Sequence, residues 1–181
     1  MPTHYLDSEK SESSLRTDQT RITITAERRR WARKPAHITD ALDFWSFAGA
    51  AANVILQLGW PEVAYGVMES KVESGALTAH PWKRARTTTQ YLTVAILGDE
   101  EERKAYREAV NSVHRHVKSD SNSPVKYNAF NRELQLWVAA CLFIGFEDSH
   151  QLLHGKMSEE QAESFYKSAS TLGTTLQVTA E

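Results

Sequence analysis

Eleven consecutive residues, Leu136 to Phe146 (LWVAACLFIGF), carry neither a charge nor a strongly polar side chain. The run falls short of the roughly 20 apolar residues that a membrane-spanning helix needs. It is nevertheless apolar on every side, so the stretch from about Asn131 to His154 predicts a helix buried all round. Gly155 is placed to close that helix. A helix of this kind has to be surrounded by others, and 181 residues are enough to do so in one domain.

The rest of the chain supplies the surrounding helices. Thr39 or Asp40 can cap a helix carrying Leu42, Phe44, Trp45, Phe47, Val54, Ile55 and Leu58. Gly59-Trp60-Pro61 ends it, and Pro61 suits the first turn of a second helix that Gly75 would terminate. A third helix is predicted from about Pro81 to Leu97, with Trp82, Ala85, Thr89, Leu92 and Ile96 as its inward stripe. Asp99 caps a fourth helix, whose first turn holds Glu100 to Glu102. Residues 119–124 read as a loop, and Ser158 with Gln161 opens a sixth helix through a capping box. No alternating pattern longer than Arg21 to Thr25 argues for a strand. The expected fold is therefore all-α, a globin-like or orthogonal bundle of about six helices over residues 39–181. Residues 1–38, rich in Ser, Thr and charge, read as a disordered polar tail.

Charge and cysteine usage narrow the function classes. A net charge of −2 gives no general pull toward nucleic acid or an anionic membrane. The basic run Arg28, Arg29, Arg30, Trp31, Arg33, Lys34 has no second basic patch to support it and reads as solvated. The first 25 residues lack the apolar core of a signal peptide, and Ala41 to Trp60 is broken by Asp43, Asn53 and Gln57. Cys141, the single cysteine, lies inside the apolar run and reads as an inert buried thiol suited to a reducing compartment. The expectation is a cytoplasmic protein with no nucleic-acid partner and no membrane span.

Two constellations could carry chemistry. On the fourth helix the apolar stripe is Tyr106, Ala109, Val110, Val113 and Val117, and His114 and His116 flank it on opposite sides. Periodicity does not choose between them, and either could be a half-buried histidine satisfied by a hydrogen bond. A helical imidazole also suits axial ligation of a haem iron, one nitrogen binding while the other donates. Arg84 and Thr88 lie one turn apart on the third helix. They read as a surface pair, or as a guanidinium for a carboxylate or haem propionate beside a hydroxyl that orients oxygen or water. The second constellation, Glu147-x-x-His150 with His154 a turn on, is half of a ferritin-like di-iron motif. No second Glu-x-x-His accompanies it, and a polar, solvent-reaching helix end explains it better.

Six segments in order resemble the catalytic domain of the rubber oxygenase (latex-clearing protein) and MpaB-type oxygenase family. They are GAAANVILQLGWP from Gly49 to Pro61, RARTT from Arg84 to Thr88, Leu97-Gly98-Asp99, VHRHV from Val113 to Val117, LWVAACL from Leu136 to Leu142, and LGTTL from Leu172 to Leu176. The resemblance implies a haem b-dependent oxidoreductase that uses dioxygen on a hydrophobic small molecule. His114 would be the axial ligand of the haem iron, with Arg84 and Thr88 in the oxygen-side pocket. The chain departs from many relatives in having Trp60 and Ala139 where they have histidine. The family's upstream carboxylate has no clear counterpart, Glu69 and Glu73 being the candidates. Relatives continue beyond the LGTTL element, so the domain is expected to be short at its C-terminus. Two alternatives stand beside this reading. One is a catalytically inactive helical haem-binding or interaction protein whose uncovered apolar faces favour a homodimer. The other is a di-metal carboxylate protein using Glu147, His150 and His154.

Overall fold

Helix caps and breaks written in the sequence set the element order of the computed structural model, which describes residues 37–72, 77 and 79–179, with Trp45 by its backbone alone. The fold is all-α. A 3-10 turn, Ile38–Ala41, precedes α1 (Phe44–Ala48), α2 (Ala50–Gln57), α3 (Pro61–Met68) and α4 (Pro81–Leu97). There follow α5 (Glu100–His114), α6 (Arg132–His154), α7 (Glu159–Ser168) and the short α8 (Thr171–Thr174). Residues 35–181 form one compact unit. The polar tail, the basic run Arg28–Lys34, Gly75 and Glu73 lie outside the described residues.

Several caps follow the sequence closely. Asp99 accepts from the Glu102 amide at 2.8 Å while Glu102 accepts from the Asp99 amide at 2.9 Å, a reciprocal box that satisfies two orphan donors. Ser158 and Gln161 repeat the arrangement at the head of α7. Asn131 takes the Glu133 amide at 2.8 Å and the Leu134 amide at 3.4 Å. Gly155 closes α6 at a φ of 85°, where a side chain would be strained.

The first predicted helix is divided instead of continuous. His37, not Thr39 or Asp40, caps the opening 3-10 turn through its ring nitrogen. Asp43 then restarts the helix by accepting from the Ser46 amide at 2.9 Å, and the Ser46 hydroxyl ties back to the Ala41 carbonyl at 2.5 Å. These short polar side chains capture the local backbone more readily than a continuous helix would. The second helix likewise stops at Met68.

Helix α6 is the hub. It packs against α1, α2, α8 and the 3-10 turn, while α4 packs against α5, α8 and that same turn. Leu134, Ala139, Cys141, Leu142 and Phe146 of α6 are buried, with Phe165, Ala169 and Leu172 from the C-terminal helices. Burial all round is not what the structure shows, however: Leu136 is 54% exposed and Ile144 41%. The apolar run exceeds what its neighbours cover. At the α2–α6 crossing Gly145 has no side chain to hold the helices apart, and the Asn53 amide occupies that space. Asn53 donates to the Cys141 carbonyl at 2.5 Å, and the Trp137 indole donates to the Gln57 carbonyl at 3.1 Å.

Candidate functional site

The predicted stripe of α4 is covered at Thr89, Leu92 and Ile96 but not at its N-terminal end. Trp82 is 87% exposed and Ala85 is exposed, although the upper end of the predicted stripe, Ile96, is buried. Arg84, Thr88 and Tyr91 are half-buried and Ala95 fully buried, a line at four-, three- and four-residue spacing. The first two turns of α4 thus cover a guanidinium and a hydroxyl and leave an indole in water. Thr87 donates its hydroxyl to the Arg84 carbonyl at 2.9 Å. Tyr91 donates to the Leu172 carbonyl at 2.5 Å, and burial raises its pKa above the ordinary phenol value.

On α5 the choice between the two histidines is made by burial. His116 lies past the helix end and is exposed, whereas His114 is the last residue of α5 and is half-buried. Its Nδ1 is buried without a hydrogen-bond partner. The Phe130 ring meets the His114 imidazole edge-on, centroids 6.2 Å apart. Burial lowers the His114 pKa, and the Arg84 charge lowers it further. Desolvation also lowers the Arg84 pKa, although a guanidinium stays charged in any protein setting. A neutral imidazole with an unsatisfied buried nitrogen therefore lies within the field of a half-buried cation. Among the described residues no hydrogen bond joins Thr88 to either.

A scaffold that sequence reasoning passed over holds this pair. Arg107, Asn111 and His114 share one face of α5 at four- and three-residue spacing. Arg107 donates from Nε to the Thr175 carbonyl at 2.7 Å and from a terminal nitrogen to the Thr174 carbonyl at 2.9 Å. Asn111 accepts from the Gln177 amide at 2.5 Å. Gln177 is itself gripped by Gln135 of α6, amide to side-chain carbonyl at 2.5 Å and backbone N–H to side-chain carbonyl at 3.0 Å. The LGTTL segment is thereby strapped between α5 and α6. Ala139 lies beneath Gly173 in that strap, where a Cβ on the glycine would sit 3.5 Å away. The polar stripe Arg107–Asn111–His114 was the signal available in the sequence.

The remaining candidates are placed elsewhere. Glu69 accepts from the Ser123 hydroxyl at 2.7 Å and the Tyr127 hydroxyl at 2.9 Å. It lines an open cleft with Lys71, Arg115, His116 and Asp120, and none of Arg84, Thr88 and His114 lines that cleft. His150 is 4% exposed and its ring lies against that of His154, centroids 4.3 Å apart. The end of α6 is thus not a polar, solvent-reaching tip: a histidine turns in and Leu152 is 87% exposed. Among the described residues no three His, Cys, Asp or Glu side chains converge on a metal position. The Glu147 pKa is raised by burial and then by Asp148.

Across this all-α unit, with its half-buried Arg84 and His114, residues 40–181 match the family model of the ER-bound oxygenase mpaB/B′/rubber oxygenase catalytic domain. The chain belongs to that family. It is 55% identical over 128 residues to the uncharacterized proteins Rv2237 of Mycobacterium tuberculosis and Mb2261 of Mycobacterium bovis. Each match covers 71% of this chain and 50% of the relative, so the chain spans about half the length of the curated relatives it matches. No solved structure matches the chain. Among the described residues no helix is long and apolar enough to cross a membrane.

Proposed function

We propose that this chain carries a haem-binding oxygenase domain, in which His114 would be the axial ligand of haem b, with Arg84 and Thr88 on the polar side of its pocket. The observation that carries the reading is the buried, unpartnered Nδ1 of His114. A buried polar atom without a partner costs about 1–3 kcal/mol, so its retention calls for an explanation. An axial ligand must present a neutral imidazole, and burial together with Arg84 keeps His114 neutral near pH 7. The donor set therefore fits the group. Bound haem would supply the dioxygen chemistry, and the protein would set the ligand, the local polarity and the access of substrate.

The residues have separable parts in this reading. His114 would hold the iron through one ring nitrogen and keep the other for a hydrogen bond. Arg84, half-buried and charged, is suited to a propionate or to negative charge on the oxygen side. The Thr88 hydroxyl, on the Arg84 face, can donate to an oxygen or a water. The Arg107–Asn111–Gln177–Gln135 chain holds α5 so that His114 keeps one orientation. The substrate in this reading would be a hydrophobic small molecule.

The test is a visible spectrum of the purified chain after haem addition, read beside His114→Ala and Arg84→Ala. A sharp Soret band that shifts or collapses in His114→Ala supports ligation by that residue. A free-haem spectrum in all three proteins overturns it.

A further inference from the structure

We propose that His150 and His154 form a two-point clamp for one divalent transition-metal ion at the C-terminal end of α6, separate from the Arg84–His114 pair. Residues four apart on a helix lie one above the other on a single face, a spacing that lets two imidazoles reach one ion. Here the rings already lie against each other, centroids 4.3 Å apart with an interplanar angle of 38°. Two imidazoles bound tetrahedrally to zinc with bonds of about 2.0–2.1 Å have centroids roughly 5 Å apart. The observed separation lies within about 1 Å of that spacing.

Burial supports the assignment. His150 is 4% exposed, so its ring is fixed by packing and loses little further freedom on binding. His154 is half-buried and borders solvent, which gives an ion its route in. Each histidine uses one ring nitrogen for the metal and keeps the other for a hydrogen bond. Among the described residues no third His, Cys, Asp or Glu converges on the pair, so water or an outside ligand completes the coordination. An exchangeable site of this donor type favours copper(II) over nickel(II) and zinc(II).

The experiment uses the full chain, stripped with chelator and dialysed against Zn2+ at pH 7.5, with bound zinc counted and melting temperature followed. The expected result is one equivalent of zinc and a rise in melting temperature. His154→Gln, which alters a half-buried position, weakens binding by at least about tenfold and abolishes the rise. His116→Gln, at an exposed histidine, changes neither. The proposal is overturned if no zinc binds at saturation, or if His154→Gln binds as the wild type does. His150→Gln serves as a second variant wherever circular dichroism shows that it folds.

Discussion

Over Leu134–Phe146, α6 turns Leu134, Ala139, Cys141, Leu142 and Phe146 into the core, whereas the first two turns of α4 turn in Arg84 and Thr88 and leave Trp82 87% exposed. Polar groups near the first region are matched: Gln135 is held by Ala129 and Gln177, and Asn53 by Cys141 and Gln57. Near the second, the Nδ1 of His114 has no partner and Arg84 is partly desolvated. One region follows the rules that stabilise a fold. The other breaks them, and rule-breaking of that kind concentrates where a protein binds or reacts.

Substitutions in α6 break the comparison most severely. Leu142→Ala removes a buried side chain from the cluster around Phe146 and Leu172 and should cost about 2–5 kcal/mol in chemical denaturation. A value under about 1 kcal/mol would show that this core is loose. Gly145→Ala is expected to cost about 1–3 kcal/mol, because a Cβ there collides with the Asn53 amide and strains its bond to the Cys141 carbonyl. Asn53→Ala combined with Gly145→Ala should recover part of that loss, since the collision is then gone.

What could be read from the sequence follows the same division. The apolar run of α6, the Asp99 and Ser158 boxes and the Gly155 stop are local signals, and each stands where local chemistry put it. Exposure of Leu136 and Ile144 was not legible, because it depends on how many neighbours reach α6. The α4 stripe holds from Thr89 through Leu92 to Ile96 and fails at Trp82 and Ala85, because apolar periodicity assumes that a helix buries its apolar residues, and the first two turns half-bury Arg84 and Thr88 instead. His114 was placed at the edge of its stripe by spacing, but only tertiary burial distinguishes it from His116. The Arg107–Asn111–Gln177 strap joins residues 66 or more apart, so the sequence carries only its α5 half, the polar stripe, and not its partners.

Around Arg84 and His114 the predicted effects are smaller, and some have the opposite sign. Arg84→Met replaces a half-buried cation with a flexible apolar side chain and should leave stability unchanged or raise it by up to about 1 kcal/mol. The same variant should weaken haem retention in the spectral assay, which separates binding from folding. The pH dependence carries its own sign. His114 has a lowered pKa in the folded protein, so the unfolded chain binds the extra proton first. Stability is therefore full above about pH 6.5 and is lost as pH falls from there through the folded value. His114→Phe should flatten that part of the stability–pH curve. An unchanged curve would show that the imidazole titrates alike in both states.

The smallest effect is expected at Trp82, and it sharpens the comparison more than its size suggests. A buried tryptophan truncated to a small residue costs about 3–5 kcal/mol. With its side chain outside the core, Trp82→Ser should instead stay within about 0.5 kcal/mol of the wild type in denaturation. The indole fluorescence assigned to residue 82, taken as the difference between the two proteins, should be red-shifted and readily quenched by iodide. A cost near that of a core tryptophan would mean that the apolar stripe Trp82–Ala85–Thr89 is the buried one after all. Arg84 and Thr88 would then face solvent, and the polar lining of the candidate site would go with them. The location of one indole therefore decides which face of α4 the protein uses.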